Sequence, residues 1–299
     1  MNKPMKEGKD TGRKRRGLFP GLLFAVLFGA AALVCAWKVA DYLIDERKSL
    51  DYWGELQDSV IIMDADEHTQ APDRNAEHSP AVESQEPDAE ETEPGDPLIP
   101  AAVDFDSLRA ISEDAVAWLF SPNTAINYVI AQSDDNAYYL RRLLDGKSAS
   151  GGTLFADYRC SADFSDWNTV VYGHQMNNGT MFGSLTNYRD PAYYEEHPVM
   201  YLYTPGKRYR LELIAGYTTD IHDIVYSLPA PRKTRDEILA QAMKKSSFQS
   251  GVAVGGEDRL VTLSTCAYDY DNARYVVITR IAEENLEDGF FEEHGFAEN

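Results

Sequence analysis

The sequence predicts a mainly β domain, a closed or nearly closed β-barrel of seven to eight short strands with a few short helices, preceded by an N-terminal transmembrane helix. Three observations carry this expectation. Short segments in which apolar and polar residues alternate recur from about residue 114 to residue 281, and alternation of period two is the signature of a strand. Turn signals punctuate them at Ser121-Pro122-Asn123, Gly151-Gly152 and Pro205-Gly206, and many short strands divided in this way fit a barrel. Before all of this, residues 17–37 contain no charged side chain.

The first element is that apolar run. Its twenty-one residues, at about 1.5 Å each, make roughly 31 Å, the thickness of a bilayer's hydrocarbon core. Residues 1–16 carry Lys3, Lys6, Lys9, Arg13, Lys14, Arg15 and Arg16. This basic tail belongs in the cytoplasm, so the bulk of the chain is expected outside a single-pass cell-membrane anchor. The alternative is a cleaved signal peptide, but the run is long for one and no clean cleavage site precedes Lys38. Cys35 follows Val34, where a lipoprotein site wants a small residue, and reads as a membrane-buried thiol.

Residues 38–103 are expected to hold a juxtamembrane segment and an acidic linker. Tyr42, Leu43, Ile44, Leu50, Tyr52, Trp53 and Leu56 lie among charges, as in a helix leaving the bilayer with aromatics at the interface. From Asp64 to Pro100 the chain is rich in Glu, Asp, Pro and Ser and almost free of large apolar residues. Such a segment cannot bury enough surface to offset its chain entropy, so it is read as a disordered spacer.

Residues 104–299 are expected to form the folded domain. Phe105, Leu108, Ile111 and Val116 suggest a short helix, and residues 114–120 and 125–131 two strands around a turn. Residues 136–144 read as a helix, 153–156 and 168–172 as strands. Residues 199–204 and 208–217 form a strand pair, with Tyr209, Leu211, Leu213 and Ala215 on one face of the second. Residues 234–246 form a helix with Thr234 as N-cap, acids early and lysines late. Residues 259–266 and 275–278 close the set as two strands about the loop Ala267-Tyr268-Asp269-Tyr270-Asp271-Asn272-Ala273, with Arg274 opening the second.

Composition limits the function. A chain of 299 residues fits one or two domains. A formal charge of -21 argues against nucleic-acid binding, which wants a basic face. Three cysteines (Cys35, Cys160 and Cys266) make neither a disulfide framework nor a metal cluster.

The chemistry gathers at one strand end. Cys266 closes the strand of residues 259–266, and Arg274 opens the next. A thiol beside basic groups can reach the nucleophilic thiolate state. Arg274 cannot lose its proton and is suited to a fixed donor, although it also reads as a surface arginine paired with Asp269 or Asp271. Arg280 is its neighbour on the same strand, over 15 Å further on at about 3.3 Å per residue. Of six histidines, His68 and His78 lie in the acidic run, His197 precedes a proline and His294 is in the acidic tail. His174 and His222 both sit at strand ends.

Two motifs decide between them. Thr262-Leu263-Ser264-Thr265-Cys266 with Arg274 eight residues on resembles the sortase signature, a TLxTC followed by an arginine; some members space the pair by ten. Residues Asn168 to Met176, then Gly179-Thr180-Met181-Phe182, resemble the histidine motif of class B sortases and select His174. The resemblance covers roughly residues 105–281. It implies a membrane-anchored cysteine transpeptidase of a Gram-positive cell that needs no cofactor and no metal. Cys266 would attack the carbonyl after Thr of an NPxT-G/N-like sorting motif, and His174 would serve as general acid and then base. Arg274 would hold the peptide and the oxyanion. Asn136, Leu140 and Ser264 would contact substrate, and the helix of residues 234–246 would wall the groove. The partners implied are surface proteins bearing the motif and an amine acceptor on a peptidoglycan precursor or a pilin lysine. The rival expectations are a pilus-assembling sortase, a cysteine protease, and an inactive sortase-fold module that only binds peptides. A Cys160–Cys266 disulfide is a further, weaker idea.

Overall fold

The computed structural model describes residues 19–63, 99–255 and 257–283. The basic tail and most of the acidic run lie outside the described residues. The chain divides into two compact units, Met1–Arg47 and Lys48–Asn299. Helix α1 (Phe19–Val60) supplies the first unit's apolar surface, where Phe24, Leu27, Phe28, Leu33 and Trp37 are exposed. It is long and apolar enough to cross a membrane by length and composition.

The second unit starts earlier than residue 104. Trp53, Leu56 and Val60, at the end of α1, are buried with the barrel residues. Trp53 meets Tyr128 edge to face at 5.5 Å, and the Gln57 side chain donates to the Asn127 carbonyl at 2.7 Å. Trp53 and Leu56, expected among interfacial residues, are instead core. Strand β1 (Ile61–Ile62) then pairs antiparallel with β2 (Ala102–Val103), Ile61 opposite Val103 and Ile62 opposite Ala102. The residues flanking the acidic run are thus held side by side, and the run itself, expected as a spacer, lies outside the described residues.

The barrel holds eight strands: β3 (Ala115–Phe120), β4 (Asn127–Ala131), β5 (Leu154–Ala156), β6 (Asn168–Tyr172), β7 (Val199–Thr204), β8 (Lys207–Asp220), β9 (Leu260–Cys266) and β10 (Ala273–Glu283). It closes in the order β10-β8-β7-β3-β4-β5-β6-β9. The pairs β4–β5 and β6–β9 are parallel; the others are antiparallel. Closure leaves no open edge. Alternation along the strands sorts side chains into two cores. Val261, Leu263, Tyr275 and Val277 join the cluster that fills the barrel. Leu260, Val276 and Ile278 face outward into a second cluster with Val225, Ile238 and Ala242. That outer cluster is covered by the β8–β9 connection, which carries a 3-10 turn (Ile224–Tyr226) and helix α4 (Arg232–Lys245).

Short helices complete the unit. Helix α2 (Phe105–Ile111) is capped by Asp104, whose carboxylate accepts from the Ser107 amide. Helix α3 (Pro191–Glu196), unforeseen, is capped by Asp190 with Pro191 in its first turn. The helix expected over 136–144 is only a 3-10 turn, Tyr138–Arg141. Asp135 accepts from the Ala137 and Tyr138 amides, and the Leu143 amide donates to Lys147, so the chain folds back before a helix can propagate. α4 starts two residues before Thr234, with Pro231 at its N-cap.

Candidate active site

Three neighbouring strands end together. Arg274 is the direct partner of Cys266 across β9–β10. On the other side of β9, Tyr172 lies level with Ser264 in the parallel β6–β9 pair. Beyond that last pair the Gly173 amide donates to the Ser264 carbonyl at 3.1 Å, and the Thr265 hydroxyl donates to the Gly173 carbonyl at 2.9 Å. His174 follows Gly173 directly, and so leaves the end of β6 beside the end of β9. Directly paired residues point to the same side of a sheet, and for these strands that side is the outer one, shared with Thr262, Ser264 and Val276.

His174 is held through its ring: Nε2 lies 2.7 Å from the Leu140 carbonyl oxygen. A carbonyl only accepts, so Nε2 carries a proton in this contact and Nδ1 is left for proton exchange. Arg274 donates to the carbonyl of Ala273 at 2.9 Å. Asp269, considered as its partner, is taken by Arg189 at 2.5 Å, which also lies over the Tyr275 ring. Arg280 is far along β10, opposite Leu260, in ion pairs with Glu212 and Asp258. His222 lies just past the end of β8, exposed in the turn after it.

The expected substrate contacts occupy different settings. Leu140 is 39% exposed beside His174. The Asn136 side chain is engaged at both ends: it donates to Asp157 at 3.0 Å and accepts from the Tyr158 amide at 3.1 Å. Ser264 is buried, its hydroxyl 2.8 Å from that of Tyr226. Cys160 is also buried. Its thiol lies 3.7 Å from the Asn168 carbonyl, level with Leu260 and so about 20 Å from Cys266 along β9. A disulfide needs Cα atoms within about 7 Å, so Cys160–Cys266 is ruled out, and both are free thiols.

Residues that sequence reasoning did not single out shape the wall. Tyr226 stacks on Tyr172 at 6.3 Å, bridging the strands of His174 and Cys266. Burial pushes its hydroxyl up to about 12, against the pull of Ser264 and Arg274. Tyr172 donates to Asp157 at 2.8 Å. Burial alone would raise the Asp157 carboxyl, but hydrogen bonds from Arg159 and Tyr172 outweigh it and hold the group below the usual carboxylate value. No group of three or more His, Cys, Asp or Glu suited to a metal occurs among the described residues.

The comparisons agree with one another. A family model described as Sortase domain matches residues 121–282. Sortase B of Listeria monocytogenes serovar 1/2a is 37% identical over 174 residues, 57% of this chain and 70% of that protein. A Staphylococcus aureus sortase B–substrate complex superposes with a TM-score of 0.56 at 30% identity, covering 60% of this chain and 84% of that one. A sortase B complexed with triglycine gives a TM-score of 0.56 at 30% identity, covering 60% and 85%.

Proposed function

The chain belongs to the sortase family, class B, whose members are cysteine transpeptidases, and on that premise we propose that it is anchored in the membrane by α1, cleaves a C-terminal sorting motif after Thr, and transfers the protein to a cell-wall amine. The catalytic domain is the second unit, and the membrane segment lies within residues 17–37. What supports the reading is the direct pairing of Arg274 with Cys266 at the ends of β9 and β10, with the end of β6 that leads to His174 on the other side of β9.

In this mechanism the Cys266 thiolate attacks the Thr carbonyl carbon. The carbonyl electrons move to oxygen, and Arg274 stabilises that oxyanion. As the intermediate collapses the C–N bond breaks, and His174, charged at this stage, gives a proton from Nδ1 to the leaving amine. A thioester remains. The acceptor amine attacks it, His174 takes the proton back, and an amide forms as the thiolate leaves. The Leu140 carbonyl keeps the ring oriented, and the exposed Leu140 side chain with the Tyr226 wall borders the peptide. Both a substrate and a triglycine have been captured on related sortase B proteins, which supports a peptide donor and an amine acceptor here.

The test uses the full-length chain in detergent micelles with NPxTG and NPxTN peptides, with and without triglycine, read by mass spectrometry. Cleavage after Thr, an acyl adduct on Cys266 and amine-dependent ligation are expected. Cleavage by water alone despite added amine points to a protease, ligation only to a lysine side chain to a pilus-type acceptor, and binding with no adduct to an inactive module.

A further inference from the structure

Asp223 lies between the end of β8 and α4, away from the reacting groups, yet its carboxylate gathers donors from every element around it. Its side chain is 4% exposed. One oxygen accepts from the Val225 amide at 3.0 Å, capping the 3-10 turn, and from the Tyr217 hydroxyl at 3.4 Å. The other accepts from the Thr219 hydroxyl in a very short bond and from Lys245 at 3.3 Å. The Gln241 amide donates to both oxygens at 2.8 Å. Thr219 and Tyr217 belong to β8; Gln241 and Lys245 belong to α4. A buried carboxylate is costly unless fully paired, and here the pairing is made by the parts that must be held together.

Those parts lead to the site. Three residues after Asp223, Tyr226 reaches Ser264 and stacks on Tyr172. Val225 between them is fully buried, and its carbonyl accepts from Asn168 of β6 at 3.3 Å. We propose that Asp223 is a positioning residue for transpeptidation: it sets the Tyr226 wall beside Cys266 and docks α4 over the same outer face, so that both grip the donor peptide. This rests on the transpeptidase reading given above. Because the wall touches peptide rather than reacting atoms, its loss weakens substrate and transition state alike, which raises KM and spares kcat.

The experiment compares full-length wild type, Asp223→Asn and Gln241→Ala in detergent micelles, using the panel peptide that the wild type turns over best and triglycine as acceptor. Removing a charge-assisted bond of this kind predicts a KM increase of about tenfold for Asp223→Asn and a smaller one for Gln241→Ala. In both, kcat stays within about threefold, and iodoacetamide alkylates Cys266 at the wild-type rate, because the thiol keeps its neighbours. Unchanged KM in both variants overturns the inference, as does a fall in kcat or in alkylation rate at unchanged KM. If Asp223→Asn fails to fold by circular dichroism, Gln241→Ala decides alone on the same criteria. A wild type that forms no adduct with any peptide overturns the transpeptidase reading itself, and the inference with it.

Discussion

Replacing Gly173 by alanine tests how finely the barrel sets His174. An added Cβ would lie 2.4 Å from Cδ2 of Leu154 and 2.6 Å from Cδ2 of Phe182, about 1 Å short of the ~3.5 Å at which carbon atoms rest in contact. Leu154 and Phe182 are fully buried, and close-packed interiors resist such displacement. The strain is therefore taken up by the backbone at residues 173 and 174, held by the bonds of Gly173 to Ser264 and Thr265 and of His174 to Phe182 and Leu140. Overpacking of this kind costs about 1–3 kcal/mol of stability. A shift of about 1 Å at His174 is expected to lower kcat about a hundredfold. The assay pairs urea unfolding with steady-state transpeptidation. Gly251→Ala serves as control, since an added Cβ there meets nothing within 4 Å. A Gly173→Ala protein with wild-type midpoint and kcat within about threefold of wild type would refute the argument that this glycine is needed to seat the histidine.

The other predictions concern the groups around it. Arg274→Ala is expected to lower kcat by about 10²–10³, the usual loss for one oxyanion donor, with little change in unfolding midpoint because its hydrogen bond goes to an adjacent backbone carbonyl; single-turnover acylation measures it. Tyr226→Phe leaves the buried Ser264 hydroxyl without that partner and should destabilise the protein by about 1–2 kcal/mol in urea. Asp157 and Asp223 both titrate below the usual carboxylate value in the folded chain. Their contribution is complete above the unfolded value of about 3.9 and is lost as pH falls through the lowered folded values. Unfolding midpoints measured from pH 6 down to pH 2 should therefore drop less steeply in Asp157→Asn and Asp223→Asn than in the wild type.

Strands β3 to β10 were legible because alternation is local: a residue's face follows from its parity, and turns announce themselves in Pro, Gly and Asn. The candidates Cys266, Arg274 and His174 stand out in the sequence for a related reason, as each lies at or close to a strand end within a motif. What the sequence hid depended on partners far along the chain. Nothing near Ile61 says that it pairs with Val103, and Trp53 reads as interfacial until Tyr128 is seen against it. The turn at Tyr138–Arg141 has the apolar spacing of a helix and is ended by hydrogen bonds that propensity does not register. Tyr226 sits in an unremarkable Asp-Ile-Val-Tyr run. Only the Asp223 cap signal two residues before Val225 was available there, and it says nothing about Ser264.

The β1–β2 pairing also bears on what a protease would do. The covalent path from α1 to the barrel runs through residues 64–98, while the last turns of α1 stay bound by Trp53, Leu56, Val60 and a two-residue ladder. Burying three such side chains contributes roughly 5–9 kcal/mol. Separating the two fragments returns a comparable amount, about 4–15 kcal/mol, as freedom of motion. A single cut within residues 64–98 thus leaves the two fragments near balance between staying bound and separating, and size-exclusion chromatography of nicked protein in detergent micelles reads which side it falls on.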